Sequence, residues 1–167
     1  MLDLALNHAD KLQNAFRKTW YVDKYKYYNF DSYYDEYKPA IDTWNKLEFV
    51  SIHDGQLVGY ISYSIDRASN NCYGLRVINF TDNCVTFGVD LYKAIKDIFY
   101  KYNFSKLKWS VAIGNPAEKG YDKLVSKFGG RIVGTYKEDI KLWDGSVVDT
   151  KIYEVLKREL KNSWYLD

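Results

Sequence analysis

The chain switches several times between two hydrophobic periods, and the order of the switches predicts its elements. Leu12, Ala15, Phe16 and Trp20 recur at helical spacing and predict one amphipathic helix near the start. The tyrosine-rich stretch Tyr21–Tyr37 reads as a second, irregular helical piece. It ends near Lys38-Pro39, because proline disfavours helical backbone at the residue before it. After Trp44 the period falls to that of strands. Leu47–Ile52 predicts a strand, Asp54-Gly55 a tight turn and Leu57–Ile65 the returning strand of a hairpin. A third strand from Cys72 to Phe80 completes an antiparallel meander. Phe87, Leu91, Ala94, Ile95 and Ile98 then mark a helix, and Leu107, Trp109, Val111 and Ile113 a strand. Gly114-Asn115-Pro116 opens another helix, with Asn115 as N-cap and Pro116 at the first helical position. Tyr121, Leu124, Val125 and Phe128 form its buried stripe, and Gly129-Gly130 stops it. Strands follow at Arg131–Tyr136, extendable to Leu142, and at Val147–Val155, before a basic helical tail over Leu156–Asn162.

The step from Cys72 through a helix to Ile113 needs a crossover, so those two strands should be parallel neighbours. The expected fold class is α/β: a mixed sheet with helices on both faces. A length of 167 residues fits a single domain over 1–167. A net charge of +2 gives no electrostatic footprint for nucleic acid or a membrane surface. No run approaches the ~18 apolar residues of a membrane span, and the first residues lack the pattern of a secretory signal. Cys72 and Cys84 make neither a disulfide framework nor a zinc spacing with His8 or His53. No metal is expected, and a reducing cytoplasm fits best.

Chemistry has few places to sit. The turn Thr81–Gly88 joins a strand to a helix N-terminus, where free amides and the positive end of the helix dipole suit an anion; it also reads simply as a connection. Asn115 is a helix cap or, at the C-terminal end of a parallel strand, a ligand contact. Tyr121 is a core residue or a proton donor to a leaving thiolate. The Tyr21–Tyr37 arm covers the sheet or forms one wall of a cleft, and its Asp23, Asp31 and Asp35 argue against nucleic acid. Neither histidine has a visible Asp or nucleophile partner.

Together these features resemble the GNAT superfamily of acetyl-CoA-dependent N-acetyltransferases. Phe49–Ile61 looks like the family's central hairpin, and Asn83–Leu91 stands where the family has its Q/R-x-x-G-x-G/A-x-x-L pyrophosphate loop. Asn115 follows the next strand as the family asparagine does. Gly129–Gly134, with Asp149 and Tyr153, resembles the branch that includes ribosomal-protein N-terminal acetyltransferases. The resemblance implies a single acyl-CoA N-acyltransferase domain whose parallel strand pair splays apart to admit the pantetheine of acetyl-CoA. It places Ile78 and Phe80 against that arm and Asn83, Val85, Thr86, Phe87 and Gly88 around the pyrophosphate. Asn115 would touch the pantetheine, and Tyr121 would act as general acid. The acceptor would be a primary amine of a small molecule or a protein N-terminus, and a homodimer would be in keeping with the resemblance. The departures are Asn83 for Gln/Arg, Thr86 for the first glycine, and Tyr121 one helical turn early. No acid lies within Cys72–Phe80, so a base would have to come from water, Glu48 or Asp149. The alternative is a GNAT-shaped module that binds CoA or a protein without turnover.

Overall fold

The computed structural model describes residues 1–28, 37–82 and 84–161. Its strands are β1 (Leu2–Leu4), β2 (Lys46–His53), β3 (Gln56–Asp66), β4 (Asn71–Asn79), β5 (Lys106–Ala112), β6 (Arg131–Lys141) and β7 (Val147–Leu156). Its helices are α1 (Ala9–Arg17), α2 (Val85–Tyr100) and α3 (Glu118–Phe128). The strands form one sheet in the order β1-β2-β3-β4-β5-β7-β6. The expected α/β mixed sheet is therefore present, with β4 and β5 as its parallel pair. That ladder joins three residue pairs, Asn71–Lys106 to Tyr73–Lys108, at the start of both strands. Gly74 follows inside β4 with a φ of 64°, a left-handed kink of the backbone that suits glycine, and the parallel pairing stops before it.

Two compact units are distinguishable. The first comprises Met1–Ile65 and Leu75–Ile95. Its hairpin turns where expected, with Asp54 and Gly55 both at positive φ, as the favoured two-residue turn requires. Leu12 and Phe16, one helical turn apart, are fully buried from α1 among Val50, Tyr60 and Ile78. The Phe16 ring meets Tyr37 and Tyr60 edge-on at 4.9 and 5.3 Å. Alternation along β3 turns its next position, Gly59, to the opposite face. A Cβ there would stand 2.1 Å from the Phe87 ring, so glycine makes the room in which α2 seats its first turn. In this unit α1 and α2 thus cover opposite faces of the sheet.

The second unit comprises Asp66–Gly74 and Lys96–Asp167. Trp109 of β5 and Tyr153 of β7 are cross-strand partners whose rings stack at 5.2 Å, with Tyr121 of α3 edge-on to Trp109 at 5.5 Å. Gly129, at a φ of 97°, ends α3 as anticipated.

Four expectations are corrected. β1 is an added edge strand, held by pairing to Phe49–Ser51 rather than by its own pattern. Among the described residues of the tyrosine-rich arm, Asp23–Tyr25 forms a 3-10 turn, and residues 29–36 lie outside the described set. Asn115 and Pro116 occupy a turn that precedes α3, which begins at Glu118. The C-terminal tail shortens to a 3-10 turn at Lys157–Glu159 because its residues make no apolar stripe.

Candidate functional site

The candidate site is built where β4 ends and α2 begins. The Asn79 side-chain oxygen accepts the Thr81 amide at 3.1 Å and turns the chain away from the sheet. Phe87, seated over Gly59, then fixes the start of α2. A helix leaves its first amides without acceptors inside the helix, here those of Val85, Thr86 and Phe87. The Gly88 amide is different: it closes the first turn on the Cys84 carbonyl at 3.4 Å. Gly88 is exposed, and a Cβ on it would meet nothing within 4 Å. No acidic residue lies in this first turn, so the helix itself supplies no charge against the positive end of its dipole.

A cavity of about 440 Å³ opens at this helix start, lined by His53, Asp54, Gln56, Thr81, Val85 and Thr86 among others. Two acids border it, each with a positive or ionisable neighbour. Asp82 is ion-paired with Lys24 and holds that ammonium above its ordinary range. Asp54 lies 3.3 Å from His53. A second cavity, of about 620 Å³, shares Gln56 and Thr81 with the first and extends along α1 past Lys11, Asn14 and Lys18. The hairpin residues Gln56 and Val58 were absent from the sequence-derived site. Their signal was available: a meander sets the start of β3 beside the end of β4.

The placements of the predicted residues differ. Val85 and Thr86 border the cavity. The Phe87 side chain is an anchor, which leaves only its amide for a ligand. Ile78 is fully buried in the core of the first unit. The Phe80 amide donates to the Val58 carbonyl at 2.9 Å and so faces β3. Backbone groups alternate along a strand. The groups pointing away from β3 therefore belong to Val77 and Asn79, one residue out of step with the expected Ile78 and Phe80. Asn83 lies outside the described residues.

Two predicted residues belong to the second unit. Asn115 is buried, and its side-chain oxygen accepts the Ala117 amide at 2.9 Å. Tyr121 is 7% exposed within the Trp109–Tyr153 cluster, where its ring is a packing element. In the same unit the Tyr153 hydroxyl donates to Asp122 at 2.7 Å, and burial together with that carboxylate raises its pKa. Lys151 bridges Asp122 and Glu118.

Neither candidate base is open. Burial would raise the pKa of Glu48, but the Ala40 amide at 2.6 Å, Lys46 at 2.7 Å, and the Tyr37 and Tyr60 hydroxyls at 2.6 and 2.5 Å together hold it below its ordinary value. Asp149 accepts from Lys137 and from the Glu138 amide, and both lower it. Among the described residues no group of three potential metal ligands exists, and no helix is long and apolar enough to cross a membrane.

Comparison with solved structures settles the fold. A chimera of the Vibrio cholerae spermidine N-acetyltransferase SpeG with hSSAT superposes with a TM-score of 0.71, covering 95% of this chain and 96% of its own at 18% identity. The protein smu.2055 from Streptococcus mutans gives 0.69 over 94% and 99% at 16% identity. The fold is that of the GNAT acetyltransferases. Two further structures described as acetyltransferases are longer, and this chain spans 64% and 58% of them. No protein-family model and no curated protein matches the chain.

Proposed function

We propose that the chain is an acetyl-CoA-dependent N-acyltransferase that moves an acetyl group directly to a primary amine. The observation that carries this reading is the open start of α2, an acid-free helix N-terminus facing a cavity of about 440 Å³ at the end of β4. Helix N-termini of this kind suit phosphate, and the exposed Gly88 keeps the approach clear. In this reading the amides of Val85, Thr86 and Phe87 hold the pyrophosphate. The outward backbone of Val77 and Asn79 holds the pantetheine arm, and Asn115 is left as a contact through its side-chain nitrogen.

The amine nitrogen attacks the thioester carbonyl, the carbon–sulfur bond breaks, and the departing thiolate takes up the proton the nitrogen loses. A backbone amide at the carbonyl oxygen would stabilise the charge that develops there. No covalent enzyme intermediate is needed. Burial pushes the Cys72 thiol up to about 12, which makes it a poor nucleophile. The spermidine enzymes that share the fold support a small-molecule amine over a protein N-terminus. The residues that suggested the ribosomal-protein branch have local duties instead: Gly129 ends α3, Asp149 binds Lys137 and Tyr153 stacks on Trp109. Free thiols at Cys72 and Cys84 suit the cytoplasm.

A second reading, cofactor binding without turnover, is favoured by one observation. Tyr121, the proposed general acid, is packed inside an aromatic cluster. Calorimetry with CoA and acetyl-CoA on the wild type and Gly88→Trp tests the first reading, and thiol release with an amine panel separates it from the second. Because Gly88 faces open space, the variant is expected to fold and to lose binding. Wild-type protein that binds neither ligand at millimolar concentration would end both readings.

A further inference from the structure

Resting on the transferase reading, we propose that the cavity along α1 holds the acceptor, and that the acceptor is an amine that also carries an anionic group. The cavity has a volume of about 620 Å³ and shares Gln56 and Thr81 with the cavity at the start of α2. A molecule in the larger cavity is thus adjacent to the donor's site. Leu57 and Phe80 supply apolar wall, whereas Lys11, Asn14 and Lys18 supply polar wall. Lys11 and Asn14 stand at i and i+3 of α1, and Lys18, the residue that follows the helix in helical backbone, continues the same side at i+7, while Leu12 and Phe16 point into the core. Among the described residues that line the cavity there is no carboxylate.

The two lysines set this wall apart. Elsewhere the lysines that border buried structure have acids: Lys46 has Glu48, Lys106 has Glu154 and Lys151 has Glu118. Lys11 and Lys18 make no ion pair among the described residues. Helix electrostatics do not account for Lys11 either. It lies in the first turn of α1, where the dipole disfavours a cation. Two ammonium groups along one wall attract a carboxylate or phosphate and repel a second ammonium. A polyamine, the substrate named for the spermidine enzymes of the same fold, is therefore the wrong charge for this cavity. An amino acid, an acidic peptide or a phosphorylated amine has the right one.

The test uses amines that differ only in the anionic group: tyrosine against tyramine, lysine against cadaverine, and phosphoethanolamine against ethanolamine, with spermidine as the polycation. Thiol release from acetyl-CoA is expected to favour the anionic member of each pair by about tenfold in kcat/KM, the size of one charge-assisted contact. Lys11→Gln with Lys18→Gln should reduce that preference to about twofold, through KM rather than kcat, on the same affinity arithmetic. Both side chains are exposed, so the double variant is expected to fold. Equal rates within each pair, or preference for spermidine, would overturn the assignment while leaving the transferase reading intact. A second arm compares CoA with 3′-dephospho-CoA by calorimetry. If the double variant weakens CoA but not dephospho-CoA, the lysines read the donor's 3′-phosphate and the acceptor assignment is wrong. If acetyl-CoA does not bind the wild type, the transferase reading falls and takes this inference with it.

Discussion

The molecule contains two junctions of the same design, a strand, a turn and a helix N-terminus, and it finishes them differently. After β5, the turn that leads into α3 is closed by hydrogen bonds of Asn115 and Glu118. Asn115 accepts the Ala117 amide, its carbonyl accepts the Glu118 amide, and Glu118 reaches back to the Gly114 amide at 3.1 Å. After β4, the start of α2 carries no acid and faces a cavity. The first unit buries two carboxylates, and both are engaged: Glu48 by Tyr37, Tyr60, Ala40 and Lys46, and Asp90 of α2 by the Ser51 hydroxyl and the Met1 ammonium. An anion site at a helix N-terminus therefore depends less on the dipole, which every helix has, than on where the neighbouring acids are engaged.

The largest expected effect breaks the open junction from behind. Gly59→Val drives a side chain into the Phe87 ring, already 2.1 Å from an ideal Cβ. Overpacking of that severity costs about 3 kcal/mol, read as a lowered urea midpoint, and acetyl-CoA binding should be lost with it. Gly134→Val is the control in the second unit: nothing lies within 4 Å of its Cβ, and the midpoint should barely move. Equal losses at both glycines would refute the anchoring role of Phe87.

Next comes one of the two acids that the first unit buries. Glu48→Gln removes the charge from four donors and should cost about 2 kcal/mol at neutral pH. The sign in pH follows from its depressed pKa. The stabilisation is present above the ordinary value of 4.5 and is lost as pH falls through the lower folded value. The gap between variant and wild type should therefore narrow from pH 7 to pH 3. A gap that widens on acidification would contradict the ionised state of Glu48.

A smaller effect makes the open junction imitate the closed one. Thr86→Glu places an acid in the first turn of α2, as Glu118 does in α3. The dipole favours that acid, so the melting temperature should hold or rise. The same charge opposes a pyrophosphate, so acetyl-CoA affinity should fall about tenfold. A variant that loses stability and affinity together would leave the open junction without a separate binding role.

Much of this was legible in the chain. The hairpin at Asp54-Gly55, the crossover between β4 and β5 and the glycine stop of α3 follow from local chemistry and periodicity. Other features depend on partners distant in sequence. Leu2–Leu4 is a strand only because β2 offers an edge. Which backbone groups of β4 face outward depends on Phe80 pairing with Val58, so the expected Ile78 and Phe80 were one residue out of register. Tyr121 lies on the buried stripe that periodicity gave it, but periodicity could not show Trp109 and Tyr153 around it. Glu48 left a trace that could have been used, an acid inside the apolar run Leu47–Ile52. Its donors, Tyr37 and Ala40, arrive from a loop with no pattern of its own.

The smallest effect asks whether Asn115 serves only its own helix. Its side-chain oxygen accepts the Ala117 amide, while its side-chain nitrogen is the atom the proposed pantetheine contact would use. Asn115→Ala removes both and should cost about 1 kcal/mol, the usual net worth of one such hydrogen bond. Asn115→Asp keeps the accepting oxygen and places a negative charge where the helix dipole favours it, so stability should be retained. The two functions then separate in one titration. If acetyl-CoA binds Asn115→Asp as tightly as the wild type, the closed junction is wholly structural and the donor is held from the β4 side alone. If affinity falls while the urea midpoint stays fixed, the nitrogen is a ligand contact, and the closed junction takes part in binding through a side chain that also helps to seal it.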